Sequence, residues 1–484
     1  MKRSSRRRFL QSVAAAGSVL LLPSARVLGA NDDIRVAVVG VRIRGSGLLR
    51  QFRQIPGVRV AALCDVDRQV LDEQVRYLTE HKETVITYAD VRKLLDDKSI
   101  DAVAIATPNH WHALLTVWAC QAGKDVYVEK PVSHNVWEGR QAVRAARKYR
   151  RIVQTGTQNR SDVGLRAAVE YLRAGHLGRV LGAHGIWFQR RESIGKVDGP
   201  QPIPEHIDYD LWCGPAPRRP LRRKELHYDW NWDWETGNGD MGNLGVHQLD
   251  DCRFLLGYDG WPRRVLSLGG RFGYVDDGQT PNTQLAVFEY EPVPILIEIR
   301  TLPVSLKQYL GVELDQTKLR RYVNVIRCEG GYLGVGRGGG WAYDRDGKKV
   351  RQFKGDEGAG HPANFIKAVR SRNPADLHAD IEQGHLSSAL CHLANISYRL
   401  GSGAPPREIE EALSGHAAAR EAFQSIREHL AENGVDLKQT PCVLGQWLTP
   451  DPQTERIMGK EIAARADPLW KRAYRKPFVV PEEV

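Results

Sequence analysis

The chain has 484 residues, a formal net charge of +11, 42% hydrophobic residues and seven cysteines, a globular composition long enough for two or three domains. Acidic and basic residues are interspersed without a basic stripe, which argues against a nucleic-acid partner. The seven cysteines have no C-x-x-C spacing and an odd count, which argues against a disulfide framework or a zinc ribbon.

Residues 1–30 have the pattern of a twin-arginine export signal. Arg6 and Arg7 precede a short apolar run at 13–22, and small residues end at Ala30. The run is shorter than the ~20 residues that span a bilayer, so we expect removal after Ala30 and no stable membrane anchor. The signal holds six basic residues and no acidic ones, which leaves about +5 of the formal +11 on the remaining chain. The pattern predicts a periplasmic or otherwise exported protein that uses the twin-arginine machinery.

Residues 31–155 alternate between strand and helix patterns. Strands are predicted at 34–39, 58–63, 103–106, 126–128 and 152–154. Among the helices between them, one at 67–81 has Asp67 as a candidate N-cap, and one at 109–122 has Asn109. This alternation predicts an α/β domain with a doubly wound parallel sheet.

Beyond residue 156 the pattern changes. A helix at 162–174 precedes a stretch rich in Trp, Gly and Pro, and alternating strands follow between 265 and 348. These strands predict a mostly antiparallel sheet that is open on one face, in an α+β domain over 156–400 that ends with helices at 361–371 and 380–399. A charged helix at 417–432 and an irregular tail form a C-terminal extension over 401–484.

Residues 40–45, Gly-Val-Arg-Ile-Arg-Gly, follow the first predicted strand where dinucleotide-binding proteins have G-x-G-x-x-G. Gly40 and Gly45 fill the first and third glycine positions. Arg42 fills the second, where its Cβ hinders the approach of a pyrophosphate but its guanidinium adds a bidentate donor. Ile43 and Arg44 complete the turn beside the positive end of the next helix. The alternative is an ordinary strand-turn-helix that holds two glycines by chance.

Asp65 ends the second predicted strand, 25 residues after Gly40. An acid at this position receives the ribose hydroxyls in dinucleotide-binding domains. Because a carboxylate repels a 2′-phosphate, we expect NAD to be the preferred cofactor, while Arg42 and Arg68 leave NADP open.

Two further motifs, "ATPNHWHA" (106–113) and "VEKPVS" (128–133), stand at the carboxyl ends of later strands, the edge where open α/β sheets bind ligands. With these motifs in this order, the sequence resembles the glucose-fructose oxidoreductase and inositol dehydrogenase family, Gfo/Idh/MocA. The resemblance covers nearly the whole chain, to the tail ending "YRKPFVVPEEV".

The resemblance implies a Rossmann domain and an α/β domain whose open sheet often mediates oligomers, here a homodimer or homotetramer. It implies a carbohydrate as the small-molecule substrate and no metal. The residues that it implies along the cofactor path are Thr107, Pro108, Asn109 and His112, with Glu129 and Lys130 near the nicotinamide, Gln158 and Asn159 closing over it, and Trp212 packing beside it.

Lys130 is the first predicted catalytic residue. An ammonium beside the reacting hydroxyl can steer its oxygen and stabilise a developing alkoxide. The alternative is a surface lysine in an ion pair, but its place between a strand and Pro131 at the binding edge favours catalysis.

His247, in "GNGDMGNLGVHQLDD" (237–251), is the predicted general acid/base. Family dehydrogenases commonly carry Asp four residues before this His, where this chain has Asn243, a substrate-side residue that can orient the imidazole but not stabilise its charged form. Asp250 would share a helix face with His247 as its partner or as a substrate ligand. A buried core histidine is the alternative.

The remaining histidines include an H-x-H pair, His110 and His112, but no set such as H-E-x-x-H, so no metal site is predicted. The aromatic run 228–234, with Trp232 at its centre, suits the apolar face of a sugar ring. Packing between domains or subunits is its alternative.

Together these patterns predict an exported NAD(P)-dependent oxidoreductase that transfers hydride at a hydroxyl or keto carbon of a sugar, glycoside or cyclitol. Because free nucleotides are scarce outside the cytoplasmic membrane, we expect a tightly bound cofactor. The alternatives are a redox-neutral NAD-dependent glycosidase or lyase of the same fold, or a non-catalytic sugar-binding protein. Lys130 favours the oxidoreductase, because hydrolases that resemble this family tend to lose it.

Overall fold

The computed structural model describes residues 33–304, 308–313 and 321–484. The predicted export signal, residues 1–30, lies outside the described residues. From Ile34 to Val484 the chain forms one unit that contains two large sheets.

The first sheet contains six parallel strands. These are β1 (Ile34–Val39), β2 (Val58–Cys64), β3 (Ile86–Tyr88), β4 (Ala102–Ile105), β5 (Asp125–Val128) and β6 (Val153–Thr155), joined by helices α1 (Ile43–Arg53), α2 (Arg68–Glu80), α3 (Val91–Asp96), α4 (Asn109–Gln121) and α5 (Val136–Lys148). Their order is β3-β2-β1-β4-β5-β6, the order of a Rossmann fold. Along β1, Val36 and Val38 join one hydrophobic cluster and Ala37 and Val39 another, so both faces are covered. The doubly wound parallel sheet is confirmed.

Of the two helix N-caps predicted in this sheet, the structure has one. Asp67 is the N-cap of α2, and its side chain accepts hydrogen bonds from the backbone N–H of Gln69 and Val70. Asn109 is not a cap, because Pro108 holds that position and Asn109 is already the first helical residue. β3 and α3 were not predicted, since elements of three and six residues have too little periodicity to be recognised in a sequence.

The second sheet contains ten strands. They are β7 (Val180–Phe188), β8 (Arg264–Gly270), β9 (Thr283–Glu289), β10 (Ile295–Arg300), β13 (Arg321–Cys328), β14 (Gly331–Gly336), β15 (Gly339–Asp344), β16 (Lys349–Lys354), β17 (Ser402–Ala404) and β18 (Cys442–Leu444), while β11 (Gln308–Tyr309) and β12 (Val312–Glu313) form a separate hairpin. Their order is β16-β15-β14-β13-β7-β10-β9-β8-β18-β17. Every neighbouring pair is antiparallel except β7 and β10, which confirms the mostly antiparallel sheet.

Helices pack against both faces of this sheet. The helices of the second half of the chain are α6 (Val163–Arg173), α7 (Tyr209–Cys213), α8 (Val246–Leu256), α9 (His361–Ser371), α10 (Ile381–Arg399), α11 (Pro406–Ala412), α12 (Ala417–Glu432) and α13 (Lys460–Trp470). Of these, α9 packs on the first sheet, where Phe365 and Ile366 cluster with Val36 and Val38. Short 3-10 turns occur at Gln158–Ser161, Asp229–Trp232 and Pro374–Asp376, and a π-helical turn at Met241–Gly245 precedes α8. On the face predicted to be open, Phe423 and Ile426 of α12 cluster with Leu285 and Val287 of β9. The chain itself therefore covers that face over part of its width.

The predicted C-terminal extension is built into the rest of the fold. Its strands β17 and β18 lengthen the second sheet beside β8. Its tail reaches the first sheet's helices, where the Phe478 ring contacts Trp111 of α4 with centroids 5.4 Å apart. Arg475 donates to the Asp210 carboxylate of α7 at 2.7 Å. Residues 401–484 therefore contact the elements of both sheets.

The structure also bears on membrane-spanning helices and on the state of the cysteines. Among the helices of the described residues, none combines the length and the apolar character needed to cross a membrane. All seven cysteines are buried, and none forms a disulfide.

Candidate functional site

A cavity of about 410 Å³ lies at the carboxyl ends of β1, β2, β4 and β5, within the usual size range for small-molecule sites. Residues from the second half of the chain close it from the opposite side. The predicted site residues that line it are Gly40, Arg42, Ile43, Arg44, Asp65, Thr107, Pro108, Asn109, His112, Glu129, Lys130, Gln158, Trp212, Asn243 and His247. The structure therefore brings most of the sequence candidates into one place.

The turn after β1 depends on two glycines. Gly40 has φ of 79°, and a Cβ there would lie 2.8 Å from the Ala106 carbonyl oxygen. A Cβ on Gly45 would lie 1.7 Å from the Gly40 carbonyl oxygen, so α1 can begin this close to the turn only with glycine at position 45. The first N–H groups of α1 have no acceptor within the helix and lie at its positive end. This cradle fits a pyrophosphate.

Arg42 occupies the N-cap position of α1 and makes no side-chain capping bond. The residue is exposed and lines the cavity. The arginine in place of the second glycine therefore leaves the turn open to a phosphate ligand.

Asp65 ends β2 beside this turn. Its Oδ2 accepts from the Val41 N–H at 2.8 Å and its Oδ1 from the Asp67 N–H at 3.0 Å. Burial raises the pKa of the Asp65 carboxyl, against the lowering effect of these two bonds. Each oxygen keeps a further lone pair for a ligand hydroxyl.

His112 fastens two of the motif loops together. Its Nδ1 lies 2.6 Å from the Pro131 carbonyl oxygen and its Nε2 lies 2.7 Å from the Thr107 carbonyl oxygen. Burial lowers the pKa of His112. The residue thus positions the ends of β4 and β5. In the part of the chain that the structure describes, no three or more His, Cys, Asp or Glu residues are grouped so as to hold a metal ion.

Lys130 extends from the end of β5 to the π-helical turn. Its Nζ donates to the backbone oxygen of Asn243 at 2.5 Å and lies 3.2 Å from the Asn243 side-chain oxygen. Burial lowers the pKa of Lys130 to about 8, and the neighbouring Glu129 opposes that effect. A lysine that titrates this close to neutrality can hold or release a proton during a reaction.

His247 lies in the first turn of α8 and lines the same cavity. Burial is the main cause that lowers its pKa well below the ordinary value, and the positive charges of Lys130, Arg337 and Arg44 add to it. At neutral pH the imidazole is uncharged and can accept a proton. The sequence predicts that Asn243 orients His247, whereas the Asn243 side-chain oxygen faces Lys130.

The structure does not bring Asp250 to the cavity. The residue is fully buried and does not line the cavity. Its two oxygens accept from the Arg160 guanidinium at 2.8 and 3.0 Å, and Ser387 donates to it at 2.7 Å. The partner of this carboxylate is therefore the buried Arg160 guanidinium, which lies away from the cavity.

Asn159 and Trp232 are also turned away from the cavity. The Asn159 amide donates to the Asp251 carboxylate at 3.0 Å in the interior. The buried Trp232 ring stacks under the Arg191 guanidinium at 4.9 Å. A 3-10 turn has three residues per turn, so Trp232 and its two predecessors point in different directions. Trp230 and Asn231 line the cavity instead.

Residues 206–231, which we call the crossing segment, cross the cofactor end of the cavity and carry the predicted Trp212. The sequence did not predict that this segment is attached to the end of β2. The Asp208 N–H donates to the Val66 carbonyl at 3.0 Å, and the Arg68 N–H donates to the His206 carbonyl at 3.0 Å. His227 Nε2 lies 2.9 Å from Asp67 Oδ2. The segment is therefore pinned along the end of β2.

Arg337 was also missed. It lies in the turn between β14 and β15 and lines the cavity together with His247. The cluster of glycines around it, at 336 and 338–340, was visible in the sequence as a turn signal. The sequence around this turn does not indicate that it lines the cavity at the carboxyl edge of the first sheet.

Two parts of the chain match known families. Residues 34–157 match the "Oxidoreductase family, NAD-binding Rossmann fold", and residues 185–266 match the "Oxidoreductase family, C-terminal alpha/beta domain". The domain at the cavity is thus of an NAD-binding family.

Curated relatives match over part of their length. A "Glycosyl hydrolase family 109 protein" of Shewanella pealeana is 37% identical over 122 residues, which cover 24% of this chain and 27% of that protein. An inositol 2-dehydrogenase of Salmonella paratyphi B is 29% identical over 184 residues, which cover 37% of this chain and 52% of that protein. The match therefore spans between a quarter and a half of these relatives.

Solved structures share the fold. The WlbA dehydrogenase from Bordetella pertussis, solved with NADH and UDP-GlcNAcA, superposes with a TM-score of 0.57 at 18% identity over 76% of this chain and 97% of that one. GenD2 from gentamicin A biosynthesis, solved with NAD, gives 0.55 at 17% identity over 75% and 93%.

Proposed function

The chain belongs to the Gfo/Idh/MocA family of oxidoreductases, and on that premise we propose that it transfers hydride between NAD and a hydroxyl-bearing carbon of a sugar, glycoside or cyclitol. One observation carries the proposal. Lys130 and His247 line the same cavity as the turn between Gly40 and Gly45, so a proton-handling pair faces a cradle built for a dinucleotide.

The residues of this site fit NAD. The glycine turn would hold the pyrophosphate, and the free lone pairs of Asp65 would accept from the ribose hydroxyls. The Asp65 carboxylate would repel a 2′-phosphate, which favours NAD over NADP. Bound there, NAD supplies the acceptor or donor of the hydride.

The chain's own residues handle the proton. In the oxidation direction the Lys130 ammonium donates a hydrogen bond to the substrate hydroxyl oxygen and stabilises the charge that develops on it. The neutral His247 imidazole accepts the hydroxyl proton. In the reduction direction the two residues act in reverse.

Part of the cavity lining suits a carbohydrate. Tyr228, Trp230 and Asn231 of the crossing segment line the cavity, as does Asn243, so both aromatic surface and amide groups are available to a ligand. A sugar ring offers an apolar face to the first and hydroxyls to the second.

A redox-neutral glycosidase is the second candidate. It is favoured by the 37% identity with the glycosyl hydrolase family 109 protein, a stretch of 122 residues. Such an enzyme would release an aglycone without net change in the cofactor, whereas the oxidoreductase leaves a reduced nicotinamide.

We further propose that the protein is exported by the twin-arginine route with NAD already bound. The support is the Arg6-Arg7 pair together with the crossing segment, which is pinned over the end of β2 by His227 and Asp67. Replacement of Arg6 and Arg7 by lysine followed by cell fractionation checks the route. Accumulation of the unaltered protein in the cytoplasm would contradict it.

One experiment tests the chemistry. The purified protein is denatured and the released nucleotide identified, and the intact protein is then mixed with a panel of sugars and glycosides while absorbance at the reduced-nicotinamide band is followed. We expect bound NAD and a substrate-dependent rise that K130M and H247A abolish. Protein without nucleotide, and without any response after NAD is added, would rule out the oxidoreductase. Aglycone release with no lasting absorbance change would favour the glycosidase.

A further inference from the structure

Arg337, an exposed residue in a turn of the second sheet, adds a positive charge to the lining of the cavity. It lines the cavity with Lys130, Gln158 and His247. The Arg337 Nη2 lies 3.2 Å from Glu357 Oε2. Within the part of the chain that the structure describes, this is the ion pair that Arg337 forms. A guanidinium carries five N–H donors, so most of its donors remain for a ligand.

The backbone holds this arginine in a defined place. Gly336 pairs with Gly339, so Arg337 and Gly338 form a two-residue hairpin turn, with Gly338 at a φ of 87°. The Gly338 N–H donates to Asp162 Oδ2 at 3.0 Å, and the Gly355 N–H donates to the Gly338 carbonyl at 3.0 Å. Asp162 is itself the N-cap of α6. The turn is therefore fixed to the N-terminal end of α6 and to the residue that follows β16, so the backbone of the arginine is held in place.

The charges at this end of the cavity are predominantly positive. Lys130, Arg337 and Arg44 are the charged groups that act on the His247 imidazole, and all three are cations. Of the carboxylates that line the cavity, Glu129 is in an ion pair with Arg44 at 2.5 Å. The others, Asp65 and Asp90, follow β2 and β3 at the cofactor end. Arg44 is thus neutralised within the cavity, whereas the carboxylate that pairs with Arg337, Glu357, does not line it. An anionic group on the substrate would therefore meet Arg337 without a competing carboxylate from the cavity lining.

We propose that Arg337 selects substrates that carry an anionic substituent, a carboxylate or a phosphate, on the sugar whose reacting hydroxyl faces Lys130 and His247. This inference rests on the proposed function and names its substrate class. The planar guanidinium binds either oxyanion through two parallel hydrogen bonds, which lysine cannot reproduce.

Matched ligand pairs test the proposal without requiring turnover. Calorimetric titrations of the NAD-loaded protein compare methyl β-D-glucuronide with methyl β-D-glucoside, D-galacturonate with D-galactose, and glucose 6-phosphate with glucose. We expect the wild type to bind the anionic member of at least one pair roughly 10- to 100-fold more tightly, as a charge-assisted hydrogen bond allows. The carboxylate and phosphate pairs separate the two sources of the anion.

Three variants then assign the preference. R337Q should abolish it and leave affinity for the neutral member within about 3-fold, whereas R337K should retain only part of it because the fork is lost. R351Q removes an exposed arginine from β16, outside the cavity, and should change nothing. Far-ultraviolet circular dichroism and a thermal melt confirm that each variant is folded.

The outcomes are separable from those of the proposed function. Equal affinity for both members of every pair, failure of all anionic probes to bind, or an undiminished preference in R337Q would each overturn the role of Arg337. Hydride transfer is followed independently in the nicotinamide band. Transfer to a neutral sugar without an anionic preference would sustain the oxidoreductase and refute this inference, and the converse result would refute the oxidoreductase alone.

Discussion

The Nζ of Lys130 lies 2.5 Å from the backbone oxygen of Asn243, so the lysine that ends β5 is held by the turn that leads into the helix of His247. The first sheet and the second half of the chain meet at this bond. It explains why two motifs more than a hundred residues apart form one site, and why the position of the ammonium depends on both.

Replacement of Lys130 by methionine keeps the length of the side chain and removes the ammonium. We expect kcat/KM for hydride transfer to fall by roughly 100- to 10,000-fold, since the variant can neither hold the reacting oxygen nor handle its proton. Steady-state kinetics in the nicotinamide band measures the loss. K93M, at an exposed lysine of α3, is the control and should keep full activity. A K130M enzyme with normal kcat/KM would remove Lys130 from the mechanism.

The pKa of Lys130, lowered to about 8 by burial, sets the alkaline limb of the pH profile. The ammonium form persists below this pH and is lost above it, so kcat/KM should fall as the pH rises through about 8. N243D places a carboxylate beside the Nζ and should move this limb to higher pH. Because the pKa of His247 is well below its usual value, we expect no further limb near pH 6.5. An N243D limb that stays in place would show that another group titrates.

Gly45 and Gly47 offer a matched pair within α1. A methyl group at Gly45 would lie 1.7 Å from the Gly40 oxygen, whereas no atom lies within 4 Å of the corresponding position at Gly47. G45A should lose bound NAD and melt at a lower temperature, while G47A should be neutral or more stable by about 0.4–1 kcal/mol. Differential scanning fluorimetry with and without added NAD makes the comparison. Equal behaviour of the two variants would contradict the packing seen at the turn.

The buried pair of Asp250 and Arg160 should affect stability and leave the chemistry unchanged. D250N leaves the Arg160 charge uncompensated, which typically costs about 3–5 kcal/mol in the free energy of unfolding. The surface pair of Glu83 and Arg53 is the control, and E83Q should cost at most about 1 kcal/mol. Urea titration measures both. If folded D250N keeps its stability and loses activity, the original catalytic interpretation of Asp250 returns.

Long elements could be read from the sequence because their apolar residues recur over several turns. The predicted helices at 361–371 and 417–432 coincide with α9 and α12. The position of the candidate site could also be predicted, because parallel β-strands follow a regular arrangement. Parallel strands of one sheet end at the same edge, so Asp65, Thr107 and Lys130 had to meet once their strands were recognised.

Side-chain direction within the second half of the chain could not be read in the same way. Asn159, Trp232 and Asp250 have partners that are distant in sequence, namely Asp251, Arg191 and Arg160. Those partners decide which way each side chain turns, and local spacing contains no record of them. Arg337 was not predicted for the same reason. The position of its turn depends on the register between β14 and β15, which the local sequence does not specify.

Through the contact between Phe478 and Trp111, the last residues of the chain can affect nucleotide binding. Trp111 lines the cofactor cavity, and Arg475 grips the helix that carries Trp212. The tail therefore braces the wall of the cavity from outside. A purification tag fused after Val484, or a protease that trims the last ten residues, should loosen the grip on the nucleotide although neither alters a residue of the glycine turn.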